Sequence, residues 1–256
     1  MIKVLVKQLC PPILYSKLCS LRNILRRRAG ASSHDQHAAP GQQDLGVYWS
    51  PGMAEALETW GAGNAWDEIQ FLLVNLRGKV LDISCGTGKT IELLSPFTGI
   101  EVHGCDISDF LIRKAVERGI PPARLKVGDA TSLDYEDDAF DYSYSIGSLE
   151  HFTEEGIGQF IQECRRVTRY ASFHQLPVAR SGTDKGWIKT VQSYFNNSVP
   201  WWLAKFRSHY DTVWVLDSRW SDDISVGKWF VCVKGHHLLT DGTAGEIASD
   251  QTPDER

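Results

Sequence analysis

A chain of 256 residues, 42% hydrophobic and 11% aromatic, is long enough to bury one sizeable core and too short for several ordinary domains. Its 27 Lys and Arg against 32 Asp and Glu leave a formal net charge of −5, which gives no general attraction to phosphate backbones and argues against a nucleic-acid partner. Cys10, Cys19, Cys85, Cys105, Cys164 and Cys232 form no CxxC pair and no Cys/His cluster at zinc spacing, so no metal is expected and the chain reads as a reduced, cytoplasmic protein.

Residues 1–28 carry Lys3, Lys7, Lys17, Arg22, Arg26, Arg27 and Arg28 and no acid. After Pro11-Pro12, Leu14, Leu18, Leu21 and Leu25 follow steps of four, three and four, which predicts a basic amphipathic helix. Two fates stay open for it: peripheral contact with an anionic membrane at its inner face, or packing of the leucine face on the domain or a second subunit. Lys7 and the proline pair argue against a secretory signal, while an Arg-rich organelle presequence fits the composition. Residues 29–45 read as a linker, 46–235 as the folded domain, and 236–256 as an acidic flexible tail.

Within the domain, short apolar runs alternate with longer helix-like segments, the pattern of an α/β sheet with crossover helices. Strands are predicted at 80–83, 101–105, 124–127, 140–145 and 170–174, followed by an antiparallel-looking pair at 212–216 and 229–233. The expected architecture is α/β, Rossmann-like: a mostly parallel seven-stranded sheet ending in an antiparallel hairpin.

The richest segment is GKVLDISCGTGKT, residues 78–90, where a strand runs into Gly86 and Gly88 and then a helix. A Walker A loop needs a glycine five residues before Gly88, where Ile83 stands, and a GxGxxG dinucleotide fingerprint needs one at position 91, which is Ile91. An S-adenosylmethionine site asks instead for close backbone approach, an acid for the ribose and a polar group at the adenine. Asp106 ends the second strand in EVHGCD, eighteen residues beyond Gly88, where a carboxylate can accept both ribose hydroxyls; the duller alternative is a helix N-cap. Asp129 in KVGDAT can accept from the adenine amino group, with Ala130 offering a backbone N–H.

The fourth strand leads into Ile146-Gly147-Ser148-Leu149-Glu150-His151, at the sheet edge where open α/β folds bind ligands. His151 is the first candidate for a general base, because imidazole titrates near neutrality. His174, ending the fifth strand on the same edge, is the alternative. Glu150 could orient His151 or bind sugar hydroxyls, or be a surface acid. Trp187, Tyr194, Trp201, Trp202, Phe206 and Tyr210, interleaved with Lys185, Lys189, Lys205 and Arg207, suggest an acceptor-side cover in which aromatic faces stack on sugars; ordinary core packing also accounts for such a set.

Taken in order, VLDISCGTG, HGCD, GDA and FDYSYSIGSLEHF resemble the successive motifs of class I S-adenosylmethionine-dependent methyltransferases, over roughly residues 48–234. The resemblance implies S-adenosylmethionine as cofactor, held by Tyr48, Ser84, Gly86, Gly88, Asp106, Ile107, Asp129, Ala130, Ser145 and Ile146. Ser84 departs from the family, which commonly has glycine there, so the turn must hold a side chain. YWSPGMAEALETWG, DISVGKWF and the aromatic C-terminal half further resemble methyltransferases encoded with bacterial surface-polysaccharide biosynthesis, implying O-methylation of a sugar or glycan-linked acceptor. A nucleic-acid base methyltransferase is disfavoured because SIGSLEH lacks a Pro-Pro-aromatic clamp. Methylation of another small molecule, and a noncatalytic cofactor-binding protein tethered by the basic helix, remain as alternatives.

Overall fold

A computed structural model of the chain describes residues 43, 45–190 and 192–235. The predicted helix at 1–28, nearly all of the linker and the tail at 236–256 lie outside the described residues.

Seven strands build the main sheet: β1 (Gly78–Ile83), β2 (Ile100–Asp106), β3 (Leu125–Val127), β4 (Phe140–Ile146), β5 (Thr168–Ala179), β8 (Thr212–Ser221) and β9 (Ser225–Val233). A separate two-stranded ribbon pairs β6 (Trp187–Ile188) with β7 (Tyr194–Phe195). The sheet order is β3-β2-β1-β4-β5-β9-β8, with β1 to β5 parallel and β9 antiparallel to both β5 and β8. The expected parallel sheet with a closing hairpin is therefore present, and the hairpin's second strand inserts next to β5. β5 is longer than its apolar signal because it pairs with β9 from Ala171↔Val233 to Ala179↔Ser225.

Parallel strands covered on both faces read as near-continuous apolar runs, and β1 and β4 are almost wholly buried. On one face, α5 (Glu154–Val167) and α6 (Val199–Arg207) set Phe160, Ile161 and Phe206 against Leu81, Ile83 and Phe230. On the other, α2 (Ala65–Leu73), α3 (Lys89–Leu94) and α4 (Asp109–Glu117) set Ile69, Leu73, Ile91 and Ile112 against Val80, Tyr144 and Trp229. The polar residues of β4 are answered across the sheet: Thr168 donates to Ser143, Ser143 donates to Ser172, and Ser172 meets the Tyr210 hydroxyl at 2.9 Å. Such a chain satisfies hydroxyls that would otherwise be costly to bury.

Caps fix where the helices begin. Ser50 caps α1 (Pro51–Ala56), Ser108 caps α4, Thr153 caps α5 and Ser198 caps α6, each side chain accepting from a backbone N–H one turn on. Asp106 is thus not the N-cap of α4. Glu68 ties α2 to the hairpin by accepting from the Ser218 hydroxyl, the Arg219 amide and the Trp229 indole. The ends of β1, β2 and β4 that carry the motif loops open on one edge of the sheet.

Candidate cofactor and acceptor site

The β1–α3 loop is shaped by three left-handed residues, Ser84 (φ 64), Gly86 (φ 55) and Gly88 (φ 72). Ser84 indeed carries its side chain through the turn, in a conformation that costs a non-glycine residue roughly 1–2 kcal/mol. A Cβ on Gly88 would stand 2.3 Å from Ile120 Cδ1 and 3.0 Å from Ala115 Cβ, and one on Gly86 3.0 Å from Leu57 Cδ1. Gly88 lets α3 begin against α4, whereas Gly86 faces the chain that covers the loop.

That cover is residues 45–61, of which the sequence resemblance pointed to Tyr48 as closing over the cofactor's methionine end, without the contacts that hold the segment. The Tyr48 carbonyl accepts from the Ser108 hydroxyl, and the Trp49 indole donates to Asp109, so the 3-10 turn Leu45–Trp49 docks at the Asp106 end of the edge. Further on, Glu58 accepts from the Thr87 hydroxyl at 2.7 Å and pairs with Arg118, whose Nε donates to the Thr87 carbonyl. Trp60 then lies against Gly147 at the end of β4: a Cβ there would be 2.9 Å from its Cη2. The segment straps the ends of β2, β1 and β4 in turn.

Two buried carboxyls lie under the strap. Asp106 accepts from the Gly86 amide on Oδ2 and the Ser108 amide on Oδ1, both at 2.9 Å; burial raises its pKa and these two bonds oppose the rise. Asp82, on β1, had no place in the motif reading although the D of VLDIS names it. It accepts from Thr90 Oγ1 at 2.5 Å and the Tyr144 hydroxyl at 2.9 Å. Burial pushes it up to about 7, and the charge of Asp106 adds to the rise. Only its isolation inside an apolar strand signalled it.

A half-open cavity is lined by Leu57, Trp60, Trp66, Asp82, Ser84, Cys85, Gly86, Thr87, Lys89, Thr90 and Ile146. Its chemistry suits an amino acid joined to a nucleoside: a glycine turn without a side chain at Gly86, a carboxyl at Asp82 and aromatic walls. Ser84, Gly86 and Ile146 come together on it, with Asp106 beside Gly86. Ile107 is half-buried between Asp106 and Ser108. Asp129 is exposed, its Oδ1 accepting from the Thr131 amide and hydroxyl in a local turn, and Ala130 packs into the core with Leu133.

At the acceptor edge the two histidines separate. His174 is fully buried, stacked on Phe206 at 5.2 Å and edge-on to Phe160, with Nδ1 2.9 Å from Ser145 Oγ. Burial drives it down to about 3. The expectation of His174 as an alternative base is corrected: its ring belongs to the core, and the Ser145 hydroxyl is taken by that ring. His151, in the turn Leu149–His151, donates from Nδ1 to the Ser193 carbonyl at 2.9 Å, because a carbonyl can only accept. The basic lone pair is therefore on Nε2, and burial holds the ring below its usual value. Glu150 Oε1 lies 3.7 Å from that nitrogen.

The aromatic insertion divides likewise. Trp202, Phe206 and Tyr210 are core, a correction to the idea of a cover made of all six. Trp187 packs on Phe195, Phe195 stacks on Trp201, and Lys205 lies over the Trp201 ring. Tyr194 of the ribbon meets His151 edge-on. The four described cysteines are free and buried, and among the described residues no group of three or more His, Cys, Asp or Glu could hold a metal. No helix among them is long and apolar enough to cross a membrane.

Residues 80–170 match a family described as "Methyltransferase domain". A demethylmenaquinone methyltransferase of Paenarthrobacter aurescens is 27% identical over 188 residues, 71% of this chain and 73% of that protein. A tRNA (carboxymethyluridine(34)-5-O)-methyltransferase of Saccharomyces cerevisiae is 36% identical over 146 residues, 54% of this chain and 50% of that protein. Among solved structures, the 1,6-didemethyltoxoflavin-N1-methyltransferase of Burkholderia thailandensis, crystallised with S-adenosylhomocysteine, shares the fold with a TM-score of 0.59 at 16% identity, over 80% of this chain and 94% of that one. Sheet order, glycine turn and cavity define a class I, Rossmann-like fold. The chain carries an S-adenosylmethionine-dependent methyltransferase domain, an enzyme domain whose cofactor is S-adenosylmethionine. It spans half or less of several curated relatives, 50% of the yeast protein and 45% of a Streptomyces halstedii methyltransferase.

Proposed function

We propose that the protein methylates a hydroxyl of a small-molecule or glycan-linked acceptor, with His151 as general base, and that this acceptor belongs to surface-polysaccharide biosynthesis. The observation that carries the reading is the Nδ1–Ser193 bond, which leaves His151 Nε2 basic one turn beyond Ile146, a wall of the cavity. Asp106 would accept from the ribose hydroxyls with lone pairs its two amide bonds leave over, and Asp82 would face the cofactor's ammonium group. Gly86 and Ser84 would cradle its amino-acid portion, Tyr48 and Ile107 would flank the ribose side, and Asp129 with Ala130 would meet the adenine. S-adenosylmethionine supplies an electrophilic methyl group; the protein's part is to align an acceptor, exclude water and remove a proton.

The sugar assignment is supported by Tyr194 beside His151 and by the sequence resemblance of the C-terminal half. The net charge of −5 supports an acceptor other than nucleic acid, and the basic residues 1–28 support contact with a membrane surface. The test is transfer of labelled methyl from S-adenosylmethionine to nucleotide-linked and polyprenyl-linked sugars. Labelled sugar ethers are expected; label in tRNA or a quinone fraction alone would overturn the acceptor reading and leave the methyltransferase domain standing.

A further inference from the structure

One buried carboxyl beside the site keeps an oxygen that nothing among the described residues answers. Glu150 is buried and its Oε2 has no hydrogen-bond partner. Its Oε1 lies 3.7 Å from His151 Nε2 and 3.7 Å from where a Cβ on Gly147 would stand, a position that abuts Trp60. Trp60 and Ile146 wall the cofactor cavity, whereas His151 and Tyr194 belong to the acceptor edge. Glu150 therefore lies between Gly147, which abuts the cavity wall at Trp60, and His151.

We propose that Glu150 is the counter-charge to the cofactor's sulfonium and the final holder of the acceptor's proton, which reaches it through His151 Nε2. This rests on the S-adenosylmethionine reading of the cavity. A buried carboxyl without a counter-charge favours its protonated form, because its ion has lost water; burial pushes Glu150 up to about 8 against the opposing hydrogen bond from its own backbone amide. A fixed positive charge nearby reverses that balance and expels the proton to solvent. The ionised Glu150 then waits behind a neutral His151. As the acceptor oxygen bonds the methyl carbon, the carbon–sulfur electron pair stays on sulfur, the O–H proton passes to Nε2, and Nε2 hands it to Glu150. Sulfonium and carboxylate become thioether and carboxylic acid, so this pair carries no net charge before or after. The 3.7 Å gap closes by a small side-chain rotation or one bridging water.

The groups facing Glu150 do not supply that charge themselves. His151 is on its own turn and Tyr194 comes from β7. Glu154 at the start of α5 pairs with Lys205, and across the cavity stand Asp82 and Lys89, the latter paired with Glu92.

Calorimetry of the full chain in buffers of different ionisation enthalpy measures protons released on binding S-adenosylmethionine and S-adenosylhomocysteine. The two ligands share their amino-acid and nucleoside parts, so release from Asp82 or Asp106 cancels in the difference. In the wild type at neutral pH the sulfonium ligand should release about one proton more than the thioether, and Glu150→Gln should abolish the difference while still binding both. As a second measurement on the wild type alone, the affinity ratio of the two ligands should rise about tenfold per pH unit up to about pH 8 and then level. Equal release in the wild type, a flat ratio, or a difference that survives in Glu150→Gln would overturn the proposal. Binding of neither ligand would instead overturn the cofactor reading beneath it.

Discussion

Asp106 Oδ2 accepts the Gly86 amide at 2.9 Å, so the acid that ends β2 holds the glycine turn that ends β1. The ribose acid and the loop that approaches the amino-acid portion are thus one mechanical unit. Asp106→Ala would leave the Gly86 and Ser108 amides buried without a partner, at about 1–3 kcal/mol each. We expect S-adenosylmethionine affinity to fall at least about 100-fold, with a lower Tm in the ligand-free protein. Calorimetry and thermal melts check both; unchanged affinity would remove Asp106 from the cofactor site.

Sequence resolved the loop well because glycine at φ 55 and 72 has no cheap substitute, and the apolar strand before it can only be central. It pointed to Tyr48 as a closing residue but did not resolve the contacts that hold the segment over the loop. Residues 45–61 hold their place through Tyr48–Ser108, Trp49–Asp109 and Glu58–Thr87, contacts between positions 29 to 60 residues apart that leave no periodic trace. His174 misled for the same reason: a strand end at the open edge suggested access, and only the packing of Phe160 and Phe206 shows which way the ring turns.

Asp82 makes a pH prediction. Its folded value of about 7 lies above the ordinary 3.8. A group raised in this way favours the fold most fully at low pH, and that contribution is lost as pH rises through about 7. The ligand-free protein should therefore lose stability from this site between about pH 4 and 8. Asp82→Asn, neutral throughout and still able to accept from Thr90 and Tyr144, should gain on the order of 1–3 kcal/mol over the wild type at about pH 8. It should also bind S-adenosylmethionine more weakly. Denaturant melts across pH test this; parallel curves for the two proteins would contradict it.

Gly86 and Gly88 should fail differently when changed to alanine. Both lie at positive φ, which costs alanine roughly 1–2 kcal/mol. At Gly88 the new methyl also meets Ile120 and the Ala115 Cβ on neighbouring packed chain, so Gly88→Ala should lower Tm most. At Gly86 it meets the end of the Leu57 side chain, which can turn aside at the expense of the strap. Gly86→Ala should then fold but bind cofactor poorly, and the ranking of Tm against affinity in the two variants decides the point.

The histidines give the sharpest contrast. His151→Ala removes the only imidazole nitrogen among the described residues that is basic and set at the acceptor edge, yet leaves the cavity walls intact. With the acceptor in hand, its turnover should fall about 10²–10⁴-fold while S-adenosylhomocysteine affinity stays near that of the wild type. His174→Ala empties a fully buried space between Phe160 and Phe206 and strands the Ser145 hydroxyl, so it should cost about 2 kcal/mol or more of stability. Below its lowered melting point it should still turn over. If His174→Ala abolished turnover in a protein that still melted cooperatively and bound cofactor, while His151→Ala did not, proton removal would have to be reassigned to the buried ring, and the strand β5 edge would have to open during the reaction.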